Sequence, residues 1–457
     1  MKNTLQLFVA FIVLSLGPSW AAADGHADIE KLRQEIESLK KIYENRISEL
    51  ESKIADVESQ PKARSSTGHS HSHAPATATR SVKDNSSNPS IGMVLNGRFN
   101  QYSVDGEAEV AGFALGHEGE RKGAGFAVDH TELNFSSNVD DKFYGSSTFA
   151  IAEHDGETEI ELEEAYVQTL PGFLADGWSL KMGRAFWTLG YLNEHHSHAD
   201  DFSDRPLPYR AILDGGYNDD GFEVSYVIPS DLYTEVGMGL FRGNDIPFGG
   251  PDGKGHGSRS MFARFGGDVG ANHSWRMGVY KLTGESVSGR KAGHGNVVTF
   301  IGDTDVQILD LRYTYAPTGN AREKEIIVQH ETFWREENGT YEDTEDTPGA
   351  GAVAVNWDRD KVGSYSQLVY KFNPQWRVGL RYAELIPPPA PAAIAGSHID
   401  GGGFTPEMTS VMVDWTNSEF SRVRLQHNDA QLAAGQNDSQ FMLQYIMSIG
   451  AHGAHKY

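Results

Sequence analysis

From Asn88 onward, apolar and polar residues alternate with a period of two. Trp376, Val378, Leu380 and Tyr382 interleave with Arg377, Gly379, Arg381 and Ala383. Trp275, Met277 and Val279 interleave with Arg276, Gly278 and Tyr280, and Leu232, Thr234, Val236, Met238 and Leu240 form another file. At the end of the chain, Phe441, Leu443, Tyr445, Met447 and Ile449 fall on one face and Gln444 and Ser448 on the other. Successive side chains of a strand point to opposite faces, so this pattern predicts amphipathic β-strands. About sixteen such segments fit, from 91–103 and 125–139 through 303–315, 321–335 and 360–372 to 439–450.

The connections between these segments alternate in length. The short ones carry turn chemistry, as in Val139-Asp140-Asp141, Pro317-Thr318-Gly319-Asn320 and Phe372-Asn373-Pro374. The long ones, such as 186–217, 336–359 and 387–404, hold most of the loop Gly, Asp and Glu. Short turns at one end and long loops at the other are the habit of an all-β transmembrane barrel of antiparallel strands in a Gram-negative outer membrane. Such a barrel predicts outer-membrane lipid around its wall.

The pattern differs before Asn88. Lys2, an apolar run over Leu5–Leu16 and Ala21-Ala22-Ala23 predict a cleaved signal peptide over 1–23, too short to span a bilayer as a helix. Ile29, Leu32, Ile36, Leu39, Tyr43, Ile47, Leu50, Ile54 and Val57 then recur at steps of three and four. That seam predicts an α-helical coiled coil over 24–60, placed in the periplasm, which buries itself only by self-association. A homotrimer is the expected assembly, although Ile/Leu layers suit a dimer as well. Pro61 ends the helix, and 61–90 reads as a flexible linker carrying His69, His71 and His73, whose alternating imidazoles are candidate ligands for a divalent metal. The barrel occupies 91–457.

Composition narrows the class further. The chain has no Cys, which excludes disulfide scaffolds, thiol catalysis and cysteine metal sites. Its net charge of −24 argues against nucleic acid as a partner and suits acidic loops that gather cations. A mean hydropathy of −0.46 resembles that of a water-soluble protein, yet alternation dilutes hydropathy in barrels. No nucleophile elbow, P-loop, dinucleotide fingerprint or HExxH motif occurs, so no enzymatic activity is expected.

Candidate chemistry concentrates in the third long loop. Glu194, His195, His196, His198, Asp200 and Asp201 precede Arg205 and Arg210, with Arg184 on the strand before. Imidazoles and carboxylates this close together suit zinc if the backbone turns them inward, and His195, His196 and His198 are the expected metal ligands. Glu194, Asp200, Asp201, Arg184, Arg205 and Arg210 are the expected pore constriction. Lumen arginines of this kind pair with acids to stiffen the wall. The acidic stretch 153–164 (EHDGETEIELEE) is expected at a loop rim.

The stretches NPSIGMVLNGRF (88–99), LGYLNEHHSHADDFSDRPLPYRAILDGGYNDDG (189–221), GGDVGANHSWRMG (266–278), SEFSRVRLQHN (418–428) and LQYIMSIGAHGAHKY (443–457) resemble a group of proteobacterial outer-membrane proteins. These are labelled zinc-regulated outer-membrane proteins or TonB-dependent receptors. The resemblance implies an outer-membrane barrel with a link to zinc. The receptor half of the label fits poorly, because a 22-stranded receptor barrel is plugged by a globular domain and the residues before the first strand read as coiled coil and linker. The expected function is passive diffusion of small solutes or metal ions, with no cofactor required beyond a possible role for zinc. The alternatives are a metal-binding or envelope-anchoring protein and a TonB-linked receptor lacking a plug.

Overall fold

The computed structural model describes residues 89–106, 108–154, 157–250, 255–344 and 353–450. The expected signal peptide, the coiled coil, the linker with His69, His71 and His73, and the terminal Tyr457 lie outside the described residues.

Among the described residues, seventeen strand segments form one antiparallel sheet. They are β1 (Ser90–Tyr102), β2 (Gly125–Val128), β3 (Thr131–Asn138), β4 (Phe143–His154), β5 (Glu157–Thr169), β6 (Trp178–Phe186), β7 (Asn218–Ile228), β8 (Tyr233–Phe241) and β9 (Ser258–Val269). After them come β10 (His273–Ala292), β11 (Val298–Tyr315), β12 (Glu325–Asp343), β13 (Val353–Asn373), β14 (Trp376–Ile386), β15 (Glu407–Ser418), β16 (Ser421–Ala433) and β17 (Gln436–Gly450). From β3 onward each pairs with its neighbours in sequence, and β1 pairs with β17 in register from Gly92↔Gly450 to Tyr102↔Gln440, which closes the sheet into a barrel. β2 and β3 both pair with β1 and are two halves of one crossing, interrupted at Asp129-His130, so seventeen segments make sixteen crossings.

Turn chemistry sets the short connections as the sequence predicts. Asp140 Oδ1 accepts from the backbone N–H of Lys142 (2.8 Å) and Phe143 (2.9 Å), and Asn373 Oδ1 from Gln375 (2.9 Å) and Trp376 (3.0 Å). These side-chain caps hold the hairpins tight. β1 begins and β17 ends at this same end. Exposed aromatics ring it: Trp178, Tyr233, Tyr313, Phe372, Trp376, Phe420 and Tyr445. Aromatic girdles mark a membrane–water interface, and short turns mark its periplasmic side.

Burial is inverted relative to a water-soluble protein. On β17, Phe441, Tyr445 and Ile449 are exposed while Asp438, Gln440 and Gln444 are buried. On β14, Leu380 is 51% exposed and its neighbour Arg381 only 1%. A wall this apolar outside and polar inside is stable only with lipid around it, which places the barrel in the outer membrane.

The four strands β10 to β13 have 20, 18, 19 and 21 residues. A bilayer crossing needs roughly 9–11 residues, so these strands continue well past the membrane on the long-loop side. The stretch 336–359, expected as a loop, is therefore mostly strand: β12 runs to Asp343 and β13 starts at Val353. Its charges are those of a lumen wall rather than of a loop. Glu337 faces inward, where Arg290, Arg335 and Lys361 surround it, so the polarity belongs to the lumen.

Candidate functional site

The third outer connection, L3 (187–217), folds into the barrel. Trp187, Leu189, Leu192, Leu207, Tyr209, Ile212, Leu213 and Tyr217 are buried in one cluster with Phe241, Tyr280, Leu282, Ile308, Phe333, Tyr365 and Leu385 of the surrounding wall. Its short helix α1 (Leu207–Leu213) is entered from Pro206 and ended by Asp214, whose φ of 51° stops the helix. The wall makes room with glycines. A Cβ on Gly363 would stand 3.1 Å from Pro208, and one on Gly379 would stand 3.1 Å from the Phe202 ring.

Charges from many strands then hold the loop. Arg264 and Arg276 reach Glu194 Oε1 at 2.6 and 3.2 Å, and Arg377 reaches Asp201 at 2.7 Å. Arg381 donates to Asp204, Arg424 to the Asp200 carbonyl (2.7 Å), and Arg335 to the Ala211 carbonyl (3.1 Å). Glu331 accepts from the Tyr191 N–H at 2.5 Å. Arg276, Arg377 and Arg381 thus stiffen the structure by pairing with acids.

Within L3, Asp200 is bound by Arg205 Nε at 2.8 Å, yet burial pushes its carboxyl up to about 6. Arg205 also donates to the carbonyls of Leu192 (2.8 Å) and His195 (2.5 Å), so it is a brace inside the loop. Arg210 donates to the Gly119 carbonyl (2.8 Å) of the first outer connection, L1 (103–124). Burial lowers the proton affinity of Arg210. Asp214 accepts from the Gly119 N–H at 2.6 Å, and burial raises its carboxyl to about 7. Arg184 lies on β6, half-exposed, paired with Asp220 at 2.8 Å.

The three histidines do not stay together. His195 turns back on L3, with Nδ1 at 2.9 Å from the Tyr191 carbonyl and its ring stacked on Tyr191 at 4.9 Å. Burial lowers its pKa to about 4. This corrects the expectation of a His195/His196/His198 cluster: alternate residues of an irregular loop need not share a face. His196 and His198 do lie side by side, their rings 5.8 Å apart.

Those two meet acids that the sequence reading did not assign. His198 Nδ1 is 2.8 Å from Glu132 Oε1 on β3. His196 Nε2 is 3.0 Å from Glu164 Oε2 on β5, while His196 Nδ1 faces Glu132 Oε1 at 3.2 Å and Glu163 Oε2 at 3.3 Å. Burial opposes a charge on His196, but the Glu132, Glu163 and Glu164 carboxylates outweigh it and raise its pKa well above the ordinary value. His130, at the β2–β3 break with φ of 34°, sets its Nδ1 3.4 Å from Glu163 Oε1.

A bulge explains how adjacent glutamates serve one site. Thr148 pairs with Glu164 and Phe149 with Leu162, which leaves Glu163 as the extra residue. A bulge re-aims a side chain, so Glu163 and Glu164 both turn to the lumen while Leu162 faces out. Glu161 to Glu164 were expected at a loop rim; they lie on a strand wall. The signal available in the sequence was a pair of acids side by side inside an otherwise alternating strand.

Beside L3 lies a cavity of about 800 Å³. Arg98 and Tyr102 of β1, Glu161 and Glu163 of β5, Arg184 of β6 and Gln440 and Gln444 of β17 line it, with Arg121 and Lys122 of L1 and Asp204, Arg205 and Arg210 of L3. Several of its cations are paired: Arg98 with Asp129 (2.9 Å), Arg121 with Asp438 (2.5 Å), Lys122 with Glu118 (2.9 Å).

A closed sixteen-crossing barrel, apolar outside and entered by its third outer loop, is an outer-membrane β-barrel of porin-like architecture. An uncharacterized protein of Aquifex aeolicus (strain VF5) is 26% identical over 400 residues, covering 81% of this chain and 80% of that one. Among solved structures, similar barrels include OmpT of Vibrio cholerae with loop L8 deleted (13% identity, 79% of this chain and 99% of that one, TM-score 0.48). The outer-membrane channel DcaP of Acinetobacter baumannii (12%, 80% and 99%, TM-score 0.47) and the anion-selective porin of Comamonas acidovorans (11%, 79% and 99%, TM-score 0.47) are also similar. No family model matches the chain.

Proposed function

We propose that the protein is a diffusion channel of the outer membrane, passing small hydrophilic solutes or ions between L3 and the wall of β1, β5, β6 and β17. The observation that carries this reading is the cavity of about 800 Å³ on that side, lined by charges of both signs. A sixteen-stranded barrel is wide enough for an aqueous lumen, and an inward third loop narrows it. Because most of the lining cations sit beside acids, the channel sorts permeants by size and dipole more than by sign. Glu194, Asp200, Asp201, Arg205 and Arg210 act chiefly by holding L3 in place, and Arg184 faces the passage directly. The assembly proposed with this reading is a trimer joined through residues 24–60 in the periplasm.

Single-channel recording of the refolded full chain in planar bilayers tests it. The expected result is ohmic steps grouped in threes, weakly ion-selective, with the grouping lost when residues 24–60 are deleted. Protein that is folded by heat-modifiability on gels yet conducts nothing would overturn the reading.

A further inference from the structure

Where L3 meets β3 and β5, three glutamates crowd one buried imidazole. Glu132, Glu163 and Glu164 converge on His196, and Glu132 and His196 are 2% and 8% exposed. His196 Nε2 lies against Glu164 at 3.0 Å. With Nε2–H held by Glu164, a metal ion that displaces the second proton meets the Nδ1 lone pair beside Glu132 Oε1 and Glu163 Oε2. Neither approach has hydrogen-bond geometry: His196 Nδ1 and Glu163 Oε2 are buried without a hydrogen-bond partner, and Glu132 Oε1 is engaged by His198 instead. A buried nitrogen and carboxylate oxygens this close need a positive charge between them, supplied by a second proton on Nδ1 or by a metal ion.

Their spacing says which kind. Nitrogen and oxygen ligands about 2.0–2.1 Å from a tetrahedral zinc ion stand about 3.3 Å from one another. His196 Nδ1 lies 3.2 Å from Glu132 Oε1 and 3.3 Å from Glu163 Oε2, and one ligand atom from each of the three residues falls within 4.8 Å of the others. Glu164 stands where a metal-binding histidine keeps its outer carboxylate, fixing the tautomer and the ring. Glu163 also lines the cavity, which gives an ion a path in and leaves a fourth position for water.

We infer that His196, Glu132 and Glu163 form a binding site for a zinc-class divalent cation, which clamps L3 to the barrel wall. One imidazole with two carboxylates favours zinc over magnesium or calcium, which prefer all-oxygen shells. The ligands come from β3, the β5 bulge and L3, so a bound ion couples three elements that no backbone hydrogen bond joins. The inference does not depend on solute passing through the lumen.

The test uses the full chain, refolded, stripped with chelator and titrated with zinc chloride. It is run in a His69→Ala/His71→Ala/His73→Ala background so that the linker histidines contribute nothing. One zinc per chain is expected, undisturbed by a hundredfold excess of magnesium. Glu164→Gln should weaken it about 10- to 100-fold, and Glu163→Gln and His196→Gln should weaken it further. Zinc should also slow proteolysis within 187–217. If a variant fails to fold, cobalt in the background protein decides. A four-coordinate absorption spectrum supports the site, and a six-coordinate aqueous spectrum overturns it. Absence of zinc binding once the linker histidines are removed would also overturn it, leaving a protonated His196 as the counter-charge. Binding unchanged by Glu163→Gln and His196→Gln would do the same.

Discussion

Tyr209→Ala should release L3 while leaving the barrel closed. Tyr209 is fully buried, with its ring edge-on to Phe333 at 4.9 Å and to Tyr365 at 6.4 Å. Its hydroxyl donates to Glu331 (3.2 Å) and accepts from the Leu192 N–H (3.1 Å). Truncating a buried aromatic to alanine costs about 3–5 kcal/mol. Burying roughly 200 Å² at about 25 cal/mol per Å² gives about 5 kcal/mol as an upper bound. The strand ladder loses nothing, because Tyr209 belongs to α1. The loss therefore falls on the equilibrium between seated and detached L3, shifting it by about two to four powers of ten. Limited proteolysis within 187–217 should accelerate, and single-channel steps should become larger and noisier. Tyr209→Phe, which keeps the ring, should lose only about 1 kcal/mol. Normal proteolysis and conductance in Tyr209→Ala, combined with a lower thermal midpoint of the whole barrel, would refute the argument. The ring would then be part of the wall core and L3 no separate element.

Other expectations follow from single contacts. Asp214 has its carboxyl raised to about 7 by burial, against an unperturbed 3.8. The unfolded chain then binds fewer protons, so the contribution of Asp214 is complete below pH 4 and is lost as pH rises through 7, by at most about 4 kcal/mol. Asp214→Asn should flatten the fall in thermal midpoint between pH 5 and pH 8, and an unchanged slope would contradict this assignment. Leu380→Arg puts a charge on the lipid face and should cost about 2–4 kcal/mol in a urea-unfolding titration with phospholipid vesicles. Arg377→Ala strips Asp414, which is 1% exposed, and Asp201 of a shared partner, and should destabilise by about 3–5 kcal/mol. Adding Asp414→Asn should recover part of that loss.

The amino-acid sequence determined the barrel because strand period and turn chemistry are local properties. The alternation at Trp376–Tyr382 and Phe441–Ile449, with Asp140 and Asn373 at turns, gave strand positions close to those observed. It also marked L3 as the place where ionisable residues gather. What it did not determine is which partner each of those residues meets. His198 and Glu132 are 66 positions apart, Asp201 and Arg377 176, and only closure of the sheet brings them together. The same holds for Glu337, whose strand is charged like a loop because Arg290, Arg335 and Lys361 surround it across the lumen. The β5 bulge lies between these cases. Its double glutamate is visible in sequence, but pairing with β4 decides that Glu163, and not Leu162, turns inward. Period is fixed by neighbours along the chain; charge pairing across a lumen is fixed by where the barrel closes.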